Sequence, residues 1–343
     1  MEMLKTKAWV FFLTTLLGYA IEVQAQDIKG KGNVAIVIHG GAGTILRSNM
    51  TPDKEKEYTA KLEDALKAGY AILADGGTSE QAVVEAIMIL ENSPLFNAGK
   101  GAVFTNAGKN ELDASIMNGF NGNAGAVAGI TNVKNPILAA KEVKDNSLHV
   151  MLVGKGAEEF AIQQGLEIVD QSYFFTHERN KQLQKAKSLE GDEGRLSRQM
   201  MDYKFGTVGA VALDKYGNLC AGTSTGGTTN KRFGRVGDSP IIGAGTYANN
   251  KTCGVSATGH GEFFIRNVVA YDIAALMKYK NMKLKDAASE VILNKLRKIE
   301  GSGGIIAMDA SGNISMTFNT PGMYRGYMNA QGQPKTFIYE VEE

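Results

Sequence analysis

The stretch GTVGAVALDKYGNLCAGTSTGG, residues 206–227, decides the fold. Thr207–Leu213 is a run of small and apolar residues, Asp214-Lys215-Tyr216-Gly217-Asn218 is a turn, and Leu219–Thr223 is apolar again. Two such runs joined by a glycine-bearing turn read as a β-hairpin of buried strands. The design recurs downstream, where Ile305–Met308 and Ile314–Phe318 flank the turn Asp309-Ala310-Ser311-Gly312-Asn313. Between the hairpins, 263–280 and 284–300 have the apolar spacing of amphipathic helices.

Upstream, Val34–Ile38 is an apolar strand running into Gly40-Gly41-Ala42-Gly43. Tyr58, Leu62, Leu66 and Tyr70 recur at steps of four and predict a helix over 54–75. A second helix starts at Thr78, where Gln81 completes a capping box, and turns Val83, Val84, Ile87 and Leu90 inward. Leu112–Met117 and Ala124–Ile130 read as strands, and Asn135-Pro136 opens a helix with a cap and an N1 proline. Residues 177–204 break the pattern: twelve of these 28 are charged, so a solvated linker is expected. The order of elements is that of an α+β chain with sheets between helix layers.

The 343 residues carry 37 basic and 36 acidic side chains, a net charge of +1. That balance argues against a binder of nucleic-acid phosphates, which needs a basic surplus. The 41 glycines have no collagen period and only six prolines beside them, so they serve another purpose. At the N-terminus, Lys5 and Lys7 precede the apolar run Ala8–Ala20, and Val23-Gln24-Ala25 supplies small residues for cleavage. Residues 1–25 are therefore expected to be a secretory signal peptide, the run being short for a spanning helix. The mature chain would start near Gln26, exported to a bacterial periplasm or secreted, and free of the membrane. Export permits one bridge between Cys220 and Cys253, although the apolar strand around Cys220 favours two buried thiols. Two cysteines and four scattered histidines give no zinc site.

No P-loop, HExxH or EF-hand pattern is present. His39 and His260 each sit in a glycine run, and for His39 a structural hydrogen-bonding role is expected. What stands out is threonine: Thr207 behind Gly206, Thr223 and Thr225 on the partner strand, and Thr258 before Gly259-His260-Gly261. Thr223 alone is read as a strand residue. Cleavage between Gly206 and Thr207 would give Thr207 a free α-amine with a reference pKa of about 7.7–8.0, able to serve as base for its own hydroxyl. Glycine at 206 would let that bond adopt a strained turn. Arg235-Val236-Gly237-Asp238 offers an arginine fork and a carboxylate for the two charges of an amino acid.

Taken together, residues 206–250 resemble the plant-type L-asparaginases, or isoaspartyl peptidases, which are N-terminal-nucleophile hydrolases. So do IHGGAG (38–43), SPLFNAGKGAVFTNAGKNELDASIMNG (93–119), AGAVAG (124–129) and SATGHGE (256–262). The resemblance implies a single domain with a four-layer αββα sandwich, cut into an α chain (26–206) and a β chain (207–343). It implies Thr207 as nucleophile, with Thr225 hydrogen-bonded near it and Thr258 and Gly259 as oxyanion donors. Arg235 and Asp238 would clamp the substrate's α-carboxylate and α-amine within the run Arg235, Val236, Gly237 and Asp238, and His260 and Gly261 would close the substrate site. Asn97 and the loop His39, Gly40, Gly41 would position the scissile peptide. The family implies no catalytic cofactor, an (αβ)₂ assembly, and a structural sodium ion on backbone carbonyls of Leu90, Glu91, Ser93, Phe96, Ala98 and Lys100, where the charge of Lys100 is an oddity. L-asparagine and β-aspartyl dipeptides would be the substrates. A glycosylasparaginase is the related alternative, although Gly206 stands where that branch has aspartate. An uncleaved binding protein is the other.

Overall fold

The computed structural model describes residues 34–190 and 206–340. The signal segment and the linker beyond residue 190 lie outside the described residues. In chain order the strands are β1 (Ala35–Gly43), β2 (Leu112–Asn118), β3 (Ala124–Ile130), β4 (Met151–Val153), β5 (Val208–Leu213), β6 (Leu219–Thr225), β7 (Thr246–Ala248), β8 (Cys253–Gly259), β9 (Gly303–Asp309), β10 (Ile314–Phe318), β11 (Gly322–Met328) and β12 (Lys335–Tyr339). They form one sheet in the order β12-β11-β1-β5-β6-β2-β3-β4 and a second in the order β10-β9-β8-β7. Both hairpins expected from the sequence are present, β5–β6 and β9–β10.

Strand β5 shows why the sheets stack. Side chains alternate across a strand, and here Val208, Ala210 and Ala212 pack into one core while Val211 and Leu213 pack into another. The first core lies under α1 (Pro52–Ala74), α2 (Ser79–Glu91) and α3 (Pro136–Asn146), and takes Leu62, Leu66, Val83 and Ile87 from them. The second core fills the space between the sheets with Val37, Ala221, Ile306, Met308 and Met323. A third joins Val255, Ala257 and Ile305 of the smaller sheet to Ile273, Leu284 and Ile292 of the last helices. The result is helix, sheet, sheet, helix, the αββα sandwich. Helix α4 (Gly154–Gln163) adds Ala157 and Ala161 to the first core. Among the described residues no helix is long and apolar enough to cross a membrane. Cys220 and Cys253 are both free and buried, as the strand composition indicated.

Three expectations need correction. The linker begins with a helix, α5 (His177–Glu190), that sequence composition concealed. Thr176 caps it, its Oγ1 accepting from Arg179 N at 3.2 Å, and its inner face is only Arg179, Leu183 and Ala186. So thin an apolar stripe is lost among the charges. The helix expected over 263–280 is two, α6 (Gly261–Asn267) and α7 (Val269–Lys280), broken at Val268 with a left-handed φ of 48°. The carbonyls of Ala244 and Gly243 accept from Ala270 N and Tyr271 N, so a loop from elsewhere supplies partners to the first turn of α7. The last helix, α8 (Leu284–Ser289), continues through a wider turn, Glu290–Lys295, to Lys298. Third, residues 39–43 are strand rather than loop. β1 runs to Gly43 and pairs with β11, with a bulge between His39 and Gly41.

The capping box at Thr78 forms as expected, Thr78 Oγ1 accepting from Gln81 N and Gln81 Oε1 from Thr78 N. Denaturant unfolding should separate the two sources of stability in this layer. Thr78→Ala is expected to cost about 1 kcal/mol as a lost cap, and Leu66→Ala about 2–5 kcal/mol as a core cavity.

Candidate functional site

Thr207 stands at the entry of β5, buried, between the two sheets. β5 and β6 are neighbours, so Thr207 Oγ1 comes to 3.1 Å from Thr225 Oγ1 and donates to it. The Thr225 hydroxyl in turn donates to the Gly206 carbonyl oxygen at 3.2 Å and accepts from Gly227 N at 3.1 Å. One donor and two acceptor sites are thereby filled, which fixes the hydroxyl's orientation. Asn97 supplies a second donor to the same carbonyl, Nδ2 to Gly206 O at 2.7 Å. Its other amide hydrogen goes to Gly227 O at 2.7 Å, and its Oδ1 accepts from Val103 N at 2.9 Å. Gly206 is a steric requirement as well: a Cβ there would lie 2.5 Å from the Cβ of Asn97.

Beneath Thr207 lies a polar chain with no exposed member. His39 Nδ1 donates to Thr207 O at 3.0 Å, because a carbonyl can only accept. Its Nε2 therefore accepts, and Ser256 Oγ is the donor at 2.9 Å. Ser256 Oγ lies 2.7 Å from Thr223 Oγ1, Thr246 Oγ1 donates to Thr223, and Ser115 Oγ stands 2.8 Å from Thr246 Oγ1 and 2.6 Å from Ser239 O. Burial pushes the imidazole down to about 3, with the bond to Thr207 opposing. His39 is thus neutral, with its lone pair engaged, and acts as a fixed donor rather than a base. Gly209 accommodates this chain, since a Cβ there would meet Ser256 Oγ at 2.0 Å and His39 Nε2 at 2.4 Å.

Thr225, Gly227, Thr228, Arg235, Asp238 and Gly259 line the pocket in front of Thr207. Asp238 is buried, one of its oxygens has no hydrogen-bond partner, and burial raises its pKa to about 7 against the pull of Arg235. A buried carboxylate with an open lone pair is costly unless a cation completes it. Arg235 is held at the rim by Glu262, Nε to Oε1 at 3.0 Å and Nη2 to Oε2 at 2.9 Å. Its guanidinium rests on two glycines: a Cβ on Gly237 would meet Nη1 at 2.9 Å and one on Gly261 would meet Nη2 at 2.8 Å. The pairing with Arg235 holds the Glu262 carboxyl below its ordinary range despite partial burial.

Other residues singled out from the sequence stand behind the lining. Thr258 Oγ1 accepts from Ala42 N at 3.3 Å and ties β8 to β1. His260 precedes α6, its ring 5.4 Å from Phe263, and Val236 is half-buried between Arg235 and Gly237. Gly40 has the Phe96 ring 2.4 Å from where a Cβ would stand, and Gly41 takes a φ of 109° at the bulge. The 90–101 segment is a tight turn in which the carbonyls of Leu90 and Ala98 accept from Ser93 N and Gly101 N. The Glu91 and Phe96 carbonyl oxygens lie 2.4 and 2.0 Å from the Cβ positions of Gly99 and Gly101. Lys100 turns its ammonium toward Tyr173, 5.5 Å from the ring centre.

Sequence reading missed three carboxylates and one cation. The Glu91 side chain is fully buried and raised to about 7 by that burial, although Ser224 Oγ (2.6 Å), Asn135 Nδ2 (3.0 Å) and Ile137 N (3.0 Å) all donate to it. It takes the capping place expected of Asn135, whose side chain makes no cap bond. Asp113, raised by burial, accepts from Gly129 N, and Glu262 is described above. Arg179 of α5 is buried and donates to Gly101 O at 2.8 Å. Each looks like an ordinary helix or strand residue in sequence.

The chain belongs to the asparaginase family of N-terminal-nucleophile hydrolases, whose family pattern matches residues 32–338. It is 49% identical over 306 residues to the isoaspartyl peptidase of Salmonella typhimurium, covering 89% of this chain and 98% of that one. With the isoaspartyl peptidase of Escherichia coli it shares 49% over 310 residues, 90% and 97% of the two chains. With the plant-type L-asparaginase of Pyrococcus abyssi it shares 43% over 305 residues, 86% and 96%.

The packing around His39 leaves no room at Gly209. Gly209→Ala should push Ser256 off Nε2 and lower the melting temperature, with an unfolding cost of about 1–3 kcal/mol for the unpaired polar groups. Calorimetry checks it.

Proposed function

We propose that this chain hydrolyses β-aspartyl dipeptides and L-asparagine through an ester on Thr207, after cutting itself between Gly206 and Thr207. The observation that carries the reading is the Gly206 carbonyl, held by Asn97 and Thr225 beside the hydroxyl of the next residue. Attack by Thr207 Oγ1 on that carbonyl would place negative charge on an oxygen that already has two donors. The peptide C–N bond breaks as the ester forms, the nitrogen adds the proton released by Thr207 Oγ1 to its own to become the new α-amine, and water cleaves the ester. An α chain ending at Gly206 and a β chain beginning at Thr207 result.

In the mature enzyme the α-amine takes the proton from Thr207 Oγ1 as it attacks the substrate's side-chain carbonyl. Ammonia or an amino acid leaves with that proton, and water releases aspartate from the ester. Thr258 and Gly259, or the donors vacated by Gly206, would carry the oxyanion, each such donor contributing about 10²–10³ in rate. Arg235 would take the α-carboxylate in competition with Glu262, and Asp238 the α-ammonium that completes its open oxygen. Val236, Gly237, His260 and Gly261 would support that clamp. The remaining elements of the reading are export to the periplasm after loss of residues 1–25, an (αβ)₂ assembly, no catalytic cofactor, and a sodium ion on carbonyls of the 90–100 turn. Carbonyl oxygens suit a hard cation, and the ion would brace the turn that carries Asn97.

Intact mass spectrometry and turnover assays test this. Wild type should give two chains split at Gly206–Thr207, and Thr207→Ala one intact, inactive chain; a split T207A protein overturns the reading. Arg235→Lys should mature normally yet lose about two orders of magnitude in kcat/KM with the lost fork. The pH dependence follows from Asp238. Its carboxyl must be ionised to hold an ammonium, so kcat/KM should rise as pH passes about 7. Because the folded pKa lies above the unfolded value, its ionisation opposes folding, and stability from this group falls as pH rises through about 7. Asp238→Asn should therefore abolish binding and raise the melting temperature at pH 8.

A further inference from the structure

Arg179 is a buried cation that the reaction as described leaves without a task. It stands on the inner face of α5 and is 8% exposed. All of its bonds go to uncharged oxygens: Nε to Gly101 O at 2.8 Å, Nη1 to Gln182 Oε1 at 3.1 Å and Nη2 to Leu95 O at 3.5 Å. Gln182 is held in turn by Glu178, its Nε2 donating to Oε1 at 3.1 Å, so the fork is aimed from its own helix. Taking a guanidinium out of water without a carboxylate to meet it is costly. The apolar contacts of Leu183 and Ala186 already seat α5 and give no reason for a charge there.

The carbonyls that Arg179 grips belong to the turn that carries Asn97. A Cβ on Gly101 would stand 2.0 Å from the Phe96 carbonyl oxygen and 2.8 Å from that of Pro94, so Gly101 is pressed against the peptide leading into Asn97. Two residues on, Val103 N donates to Asn97 Oδ1 at 2.9 Å. That bond decides which way round the carboxamide lies, and thereby turns Nδ2 toward Gly206 O at 2.7 Å. Asn110 Nδ2 holds the next two carbonyls, Ala102 O at 2.9 Å and Val103 O at 3.1 Å. Three successive carbonyls are thus pinned, the first by Arg179. On the other flank Tyr58 donates its hydroxyl to Leu95 O at 3.2 Å, with its ring stacked on Tyr324. Of these three holders, only Arg179 lies in the segment that leads to the Gly206–Thr207 bond.

We propose that Arg179 is a positioning residue for self-cleavage, and that the seating of α5 arms Asn97 for the cut between Gly206 and Thr207. The inference rests on the functional reading above. Asn97 touches the carbonyl under attack, whereas Arg179 acts through the turn, fixing Gly101 and with it Val103 N. Without the guanidinium, Gly101 O is left buried and unmatched, residues 101–103 shift to find a partner for it, and the amide loses the bond that aims it. Gly206 O then keeps Thr225 as its one well-placed donor. Because α5 precedes the bond in the chain, cleavage follows the docking of this charged segment on the body that retains it. The grip outlasts the cut, since α5 stays within the α chain.

Full-length chain made by cell-free translation and sampled over time on denaturing gels gives the half-life of the uncut form. Arg179→Ala should lengthen it at least about tenfold. Arg179→Lys keeps the charge but not the fork and should lengthen it as well. Ile273→Ala is the control, a cavity in the third core that lowers the melting temperature at a distance from the turn; it should cut itself at the wild-type rate. Cleavage of Arg179→Ala at the wild-type rate overturns the inference. So does slowing of all three variants in proportion to their melting temperatures, which would reduce Arg179 to ordinary stability. A wild-type chain that never splits would instead overturn the functional reading, so the two failures are distinct.

Discussion

The carboxamide of Asn97 joins the parts of this molecule that have to meet. It lies in the turn after α2, in the helix layer, and its three bonds reach Gly206 O, Gly227 O and Val103 N. Two of these partners are over a hundred residues away and flank the β5–β6 hairpin. A single buried amide with every hydrogen and its oxygen engaged thus sets the distance between a helix-capping turn and the bond in front of Thr207. Arg179 of α5 fastens the same turn from behind through Gly101 O. Because a buried amide group left unmatched costs more than a matched one gains, the arrangement is stiff in the native fold.

Against this stiff base the front of the pocket is electrostatically unfinished. Asp238 is sealed from water with an open oxygen, and Arg235 spends its fork on Glu262 at the rim. Neither state is the most stable one available to these side chains. An incoming molecule with an ammonium and a carboxylate would complete the first and compete for the second. Strained residues gather in the same region, at Asn230 and Phe233. Stability here has been given up locally while the sheets and the cores beneath remain densely apolar.

The hairpins, the layer order, the capping box and the buried thiols were legible because they depend on local alternation, turn chemistry and period. Thr207 stood out as a threonine behind glycine at the edge of a charged segment, while its pairing with Thr225 was expected only from the family resemblance. What stayed hidden depends on distance in sequence. Helix α5 has too few apolar residues to stand out, yet Arg179 finds carbonyls 78 residues upstream. Glu91 resembles any helix-ending acid until α3 and Ser224 close around it. The break at Val268 comes from carbonyls of another loop, which override local helix preference. Glu262, in the first turn of α6, meets Arg235 only because β8 and its following turn bring them together.

The hydroxyl chain beneath Thr207 has a historical consequence. In a row where Thr246 gives its one proton to Thr223, Thr223 to Ser256 and Ser256 to His39 Nε2, no single position can drift to an apolar residue unaccompanied. The neighbour would be left with a lone pair or a hydrogen and nowhere dry to put it. Changes along this row should therefore be inherited in adjacent pairs, or in swaps of serine for threonine that keep the oxygen. The residues in contact with substrate diversify under a different rule, that of the molecule they hold. The quietest part of the interior thereby becomes the part with the longest memory.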